Sequence, residues 1–202
     1  MANRCKNELK VTGNTGELER MLNVVQSVSS DGEVCALDFD KIVPYPQKFK
    51  DQGSQKGCLS LEEMFSPEGG FMWRLMNWGS KSNAADVSLT RINANAVLIR
   101  FETAYAPTLS ITALLSEKYP LLTFLHIYDE IWGDFAGYAE YRRGTTLAEG
   151  KTDFGHVFSS LSQILKEEDP DRLNDQPFLF SSLEFDMKFK VLERACQAES
   201  VQ

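Results

Sequence analysis

Cys5-Lys6-Asn7-Glu8-Leu9-Lys10-Val11-Thr12 sets Cys5, Asn7, Leu9 and Val11 on one side of an extended chain and Lys6, Glu8 and Lys10 on the other. That is the period of a strand with one wet face. Gly13 ends it, and Asn14 with Glu17 three residues on has the form of a helix cap with a reciprocal acid. Leu18, Met21, Leu22 and Val25 then recur at helical spacing, which predicts an amphipathic helix to about Gln26.

Working outward, Cys35, Leu37, Phe39 and Lys41 alternate with acids before Pro44-Tyr45-Pro46, and predict a short strand that ends where proline withdraws backbone donors. Gln47 to Gly57 is polar and unpatterned and reads as an exposed insertion. Ser60 with Glu63, and Phe71 to Asn77 between Gly70 and Gly79, predict two short helical pieces. Val87 and Leu89, then Val97, Ile99 and Phe101, alternate on either side of Ile92-Asn93-Ala94-Asn95, the pattern of a hairpin. Ile111, Leu114, Leu115 and Lys118 share a helical stripe stopped at Tyr119-Pro120. Phe124, His126 and Tyr128 oppose Leu125 and Ile127 in a strand buried on both faces, and Gly133 opens a last strand carrying Phe135, Ala139 and Tyr141 inward.

This order contains a split β-α-β arrangement, so the expected architecture is α+β: a ferredoxin-like sandwich of a mainly antiparallel sheet with two helices on one face. Residues 1–148 form that domain, with an insertion at about 44–80, and 149–202 form a helical C-terminal extension packed on it. Val157, Phe158, Leu161, Ile164 and Leu165 mark the first helix of the extension. The last segment reads both ways: Phe185, Met187, Phe189 and Val191 alternate like a strand, whereas Ser181 with Glu184 resembles a cap and Glu184 and Lys188 pair at i,i+4. The helix formers that dominate Met187 to Ala198 favour helix.

Composition narrows the function classes. With 29 acidic and 21 basic residues the chain carries −8, spread evenly, which opposes association with nucleic acid or anionic membrane. Cys5, Cys35, Cys58 and Cys196 form no Cys-x-x-Cys pair and read as buried thiols in a reducing compartment. The N-terminus has no apolar signal core and no stretch is long enough to span a bilayer, so cytoplasm is the expected location.

Asn77-Trp78-Gly79-Ser80-Lys81, then Thr103-Ala104-Tyr105-Ala106-Pro107, then Phe135-Ala136-Gly137, resemble the YubB-like family of uncharacterised bacterial plasmid, prophage and pathogenicity-island proteins. Family members read N-W-G-T-K-W-[DN], T-A-W-[SA]-P-P, and Y-E-E-P-G with F-A-G close behind. The resemblance covers roughly Ala2 to Tyr141 and implies a ferredoxin-like domain of mobile-element origin. Ser82 stands where the family has an aromatic residue, Tyr105 replaces Trp, Thr108 replaces a second proline, and Ile131-Trp132 interrupts the third motif.

Trp78, Gly79, Lys81, Tyr105 and Pro107 are the candidate binding residues, expected to gather at one rim of the sheet where aromatic faces beside an ammonium suit a planar or anionic ligand or a partner peptide. The alternative for the same residues is structural: Trp78 plugs a helix-to-strand corner and Gly79 supplies a left-handed turn. Asp129, Glu130 and Asp134 lie close enough in sequence for an oxygen-ligand metal site, but read more simply as a solvated hairpin tip, and no metal is assigned. His126, on a doubly buried strand, reads as a hydrogen-bonded core residue and His156 as a surface one. No catalytic residue and no cofactor is predicted, because no nucleophile elbow, phosphate loop or zinc motif is present. The expectation is a non-enzymatic interaction protein engaging a host or element-encoded protein through the rim and the C-terminal helices. A nucleotide or nucleic-acid binder is the second reading and an enzyme the third.

Overall fold

The structure is a computed structural model that describes residues 3–28, 32–55, 66–168 and 179–199. Strand β1 (Arg4–Gly13) has antiparallel neighbours on both sides, so its alternation is read against two partners at once. Leu9 lies opposite Ile99 on one side and opposite His126 on the other. After β1 come α1 (Thr15–Val25), a two-stranded ribbon β2 (Ser27–Val28) and β3 (Val34–Cys35), and the helices α2 (Phe39–Ile42), α3 (Gln47–Gln55) and α4 (Gly70–Trp78). The hairpin β4 (Ala85–Asn93) and β5 (Ala96–Ala104), α5 (Leu109–Lys118), and the meander β6 (Leu122–Glu130), β7 (Phe135–Arg142) and β8 (Thr145–Thr152) follow. The C-terminal region is α6 (Phe154–Glu168), α7 (Leu179–Ser182) and α8 (Phe185–Glu199).

The main sheet has the order β4-β5-β1-β6-β7-β8, antiparallel throughout. Its first four strands, with α1 and α5 as the crossing helices, reproduce the split β-α-β pattern of a ferredoxin-like domain, and β7 and β8 widen the sheet. On one face Leu9, Val11, Ile99 and Phe124 meet Leu18 and Met21 of α1 and Ile111 and Leu115 of α5. On the other, Leu98, Ile127 and Tyr138 meet Val157 and Leu161 of α6 and Val191 and Leu192 of α8. Each such side chain contributes about 1.5–3 kcal/mol by leaving water. The outcome is an α+β protein with a helical layer on both sheet faces.

Several local expectations give way to packing. The strand expected at Cys35 to Lys41 is only Val34–Cys35, and Phe39–Ile42 is helical. Asp38 caps that helix by accepting from the Asp40 amide at 2.9 Å, and Asn83 holds the Phe39 amide at 2.8 Å, so one helical turn buries both Phe39 and Ile42. Of Gln47 to Gly57, expected as an unpatterned insertion, Gln47–Gln55 is helix α3, anchored by the buried Phe49 against Tyr45, and the last two residues lie outside the described ones. Ser60 and Glu63 lie outside the described residues, as does Cys58. The strand at Phe135 is not the last: β8 pairs with it, and residues 148 and 149 both fall inside β8, so the helical region starts only after Thr152. Asn14 caps α1 as expected, but Glu17 bonds the Leu121 amide and Arg20 instead of closing a reciprocal cap.

The C-terminal segment is helical, and its stripe Phe185, Lys188, Val191, Leu192, Ala195 and Cys196 faces the sheet. Ser181 belongs to α7 and is not the cap of α8, while Lys188 pairs with Glu8 of β1 rather than with Glu184. The wet face of β1 is therefore half covered: Lys6 is exposed, but Glu8 is buried beneath α8.

Candidate functional site

Helix α4 ends at Trp78, and Gly79 caps it in the left-handed region at φ 73°, its amide donating to the Leu75 carbonyl at 3.1 Å. A β-carbon there would press on Ser110 Oγ at 3.2 Å and only touch the Pro107 carbonyl at 3.5 Å, so it is the left-handed turn that calls for glycine. Trp78 itself is only 4% exposed. Its indole N–H donates to the Val43 carbonyl at 2.9 Å, and its ring meets Phe39, Tyr45 and Trp73 at centroid distances of 6.0, 5.6 and 5.8 Å. Trp78 and Gly79 thus occupy the corner-plug positions of the structural alternative.

Lys81 and Tyr105 are the displayed part of the rim. The Lys81 ammonium sits 4.7 Å from the centroid of the Tyr105 ring, and Tyr105 is 52% exposed. Tyr105 adopts φ 71°, uncommon for a residue with a β-carbon, and its amide donates to the Asn3 carbonyl at 3.1 Å. That bond ties it beside the N-terminal end of β1. The five residues expected at the rim are brought to one corner, but Trp78 is interior to it.

Because β1 runs antiparallel to β6, with Lys6 opposite Asp129, the end of the sheet that carries Tyr105 and Arg4 also carries the β6–β7 hairpin tip. Ile131 and Trp132 stand there 61% and 83% exposed. Glu130 holds the tip by accepting from the Trp132 amide at 2.9 Å, and a side chain at Gly133 would collide with the same carboxylate. In sequence this pair registered only as an interruption of a motif; the usable signal was two large apolar residues between an acid and a glycine at a predicted turn.

The remaining candidate chemistry is dispersed. Asp134 accepts from the Phe154 amide at 3.2 Å and Glu130 serves the tip, while Asp129 faces the α6 side; among the described residues no group of three His, Cys, Asp or Glu side chains is placed to hold a metal ion. His156 Nδ1 lies 3.0 Å from Asp153. Burial pushes the Cys5 thiol up to about 12, with the Asp129 and Glu130 charges adding to it, and pushes Cys196 up to about 11, so neither is a thiolate at neutral pH.

His126 is fully buried between Thr112 Oγ1, 2.8 Å from Nδ1, and Asn7 Oδ1, 3.0 Å from Nε2. The neutral ring satisfies both partners when Nε2–H donates to Asn7 and Nδ1 accepts from Thr112. Burial lowers its pKa to about 3. An unfolded chain takes up this proton near pH 6.5, so the stability contribution is complete above that value and declines as pH falls toward 3, at about 1.4 kcal/mol per pH unit. Urea unfolding at pH 7 and pH 5 will show a loss of about 2 kcal/mol attributable to this site, and His126→Gln will flatten that part of the profile.

An antiparallel sheet of this order, with α1 and α5 crossing on one face, defines a ferredoxin-like protein, here enlarged by two strands and a second helical layer. Residues 85–165, from β4 into α6, match the family model described as the ferredoxin-like domain in Api92-like protein. The chain is also similar to the crystal structure of a protein api92 from Yersinia pseudotuberculosis, with a TM-score of 0.52 at 12% identity, over 74% of this chain and 98% of that one. That likeness is one of fold. No curated protein matches the chain in sequence. Of the three motifs, Thr103 to Pro107 and Phe135 to Gly137 fall inside the matched residues, and Asn77 to Lys81 precedes them. No described helix is long and apolar enough to cross a membrane.

Proposed function

We propose that this chain is a non-enzymatic protein-interaction module, encoded by a mobile element, that presents the Ile131–Trp132 tip and the adjoining Tyr105–Lys81 pair to a host or element-encoded protein. The observation that carries the reading is Trp132, 83% exposed on a hairpin whose backbone is held by Glu130 and Gly133. A tryptophan kept in water forgoes about 1.5–3 kcal/mol or more of burial, and a tryptophan on a pre-set backbone is the residue type that most often anchors a protein interface. The mobile-element part rests on the YubB-like motifs.

Two observations support the protein reading over the others. Both faces of the sheet carry helices, so the surface on which related folds stack bases is occupied, and the charge of −8 opposes phosphate. The buried thiols and the buried neutral His126 support a non-enzymatic role.

Capture from a bacterial extract by the wild type and by Ile131→Ser/Trp132→Ala tests the reading. Both side chains are exposed, so the variant will unfold within about 0.5 kcal/mol of the wild type. It will lose a captured protein by about tenfold or more, and that capture will survive about 0.5 M salt, where phosphate-driven binding fails. Identical capture by the two proteins, or capture abolished by salt, overturns the proposal.

A further inference from the structure

Beside the Ile131–Trp132 tip a cavity of about 70 Å³ opens between the end of the sheet and helices α6 and α7. Its apolar wall is made by Phe154, Phe158, Phe180 and Ile131, with Phe154 packed on the other two phenylalanine rings at centroid distances of 5.6 and 6.2 Å. Its polar side is made by Arg4, Lys6 and Asp129, three residues of β1 and β6 on the same sheet face, with Ser181 of α7. The cations of the polar side are loosely held. The Arg4 guanidinium lies 3.6 and 3.9 Å from Glu102 and Asp86, long for a hydrogen bond, and Lys6 stands across the strands from Glu102 and Asp129 with no ion pair to either within 4 Å. Asp129, half-buried against the phenylalanine wall, accepts no hydrogen bond among the described residues.

A ligand that completes this set needs a small apolar body for the phenylalanine wall, an anion for the two cations, and one N–H for the Asp129 carboxylate. The last residue of a polypeptide carries all three on one carbon: an aliphatic side chain, a free α-carboxylate and a backbone amide. We infer that this cavity receives the C-terminal residue of a partner polypeptide ending in an aliphatic side chain, with its carboxylate on Arg4 and Lys6 and its amide on Asp129. The exposed tip at the mouth then meets the residues before it, so the inference rests on the interaction-module reading and names the partner's feature that the module grips. Terminal-carboxylate capture is an established way for a domain to recognise a chain end, and here it uses side-chain cations.

The probe is N-acetyl-Gly-Gly-Gly-Leu as free acid, titrated into the ¹⁵N-labelled protein. Amide shifts will concentrate at Lys6, Asp129, Ile131 and Phe154. The C-terminally amidated peptide will bind about tenfold more weakly or worse, because it removes the charge that the cations hold. Arg4→Gln/Lys6→Gln, both exposed on a strand end and folded by circular dichroism, will bind acid and amide alike. Equal affinity of acid and amide for the wild type, or no shifts at about 5 mM peptide, overturns the inference. 4-Methylpentanoate, which keeps the carboxylate and the aliphatic chain but has no amide, binding as tightly as the tetrapeptide overturns the polypeptide assignment and leaves a site for a small acid. Failure of these titrations while Ile131→Ser/Trp132→Ala still loses the captured protein refutes the cavity alone; failure of the titrations together with unchanged capture by that variant refutes the module as well.

Discussion

Trp78→Ala will lower the unfolding free energy by about 3–5 kcal/mol, the cost of removing a large aromatic side chain from a filled interior. The indole is shared by several elements: it ends α4, donates to Val43 after α2, and packs edge-on against Phe39 and Trp73. Removing it also leaves the Val43 carbonyl without its donor, which adds to the cavity cost. In a chain of this length each kcal/mol moves the melting temperature by about 2–4 °C, so scanning calorimetry will show a drop of about 6–20 °C. A change below about 3 °C would mean that the corner rearranges around the gap. Lys81→Ala, by contrast, will cost only about 0.5–1 kcal/mol, since it removes one cation–π contact between a half-buried lysine and an exposed tyrosine. The two neighbours in one sequence motif therefore separate cleanly into a structural residue and a displayed one.

Glu8→Ala will destabilise the protein by about 3–5 kcal/mol and will loosen the C-terminal helix selectively. Glu8 is 7% exposed on the centre of β1, and it accepts from Arg100 Nε at 2.9 Å and from Lys188, itself 6% exposed on α8. Truncating the acid leaves a buried ammonium with only the Phe180 ring at 6.0 Å and the more distant Asp129 charge, and it is held in place by the apolar residues on either side of it in α8. Hydrogen exchange will therefore rise in α8 more than in α1, and urea unfolding will report the loss. Glu8→Met/Lys188→Met will recover most of the stability, because an apolar pair of similar volume carries no desolvation cost. If the double variant is as unstable as Glu8→Ala, the pair matters for packing and not for charge. The same contact explains why Lys188 is unavailable to Glu184, its helix neighbour in sequence.

Patterns confined to one element survived into the structure. The apolar side of β1, the β4–β5 hairpin around Ala94-Asn95 and the doubly buried β6 each depend on residues within a few positions, and a single burial requirement reads them off; on α5 the buried stripe is instead Ile111, Thr112, Leu115 and Ser116, with Lys118 exposed. Phe39 shows where this fails. Its alternation with Leu37 and Cys35 fits a strand, but Asp38 and the distant Asn83 offer the backbone a helical turn that buries Phe39 and Ile42 together. The β8 strand, with Thr145, Thr146, Leu147 and Glu149 exposed at the sheet edge, carries too little apolar alternation to be read. The rim was legible as a cluster of residue types, and the inward Trp78 was already one of its two readings, the corner plug; the outward Trp132 was not legible, since in sequence it is simply a tryptophan beside a glycine.

By itself the chain determined a mainly antiparallel sheet with crossing helices, because side-chain periods of two and of about 3.6 are local properties that each segment carries with it. Only the tertiary structure decided that the second sheet face is covered, that Glu8 and Lys188 meet, and that a phenylalanine-walled cavity opens beside an exposed tip. Those outcomes bring together residues as far apart as β1 and α8, and the free energy that selects them comes from shared burial, which no segment can express until its partner has arrived.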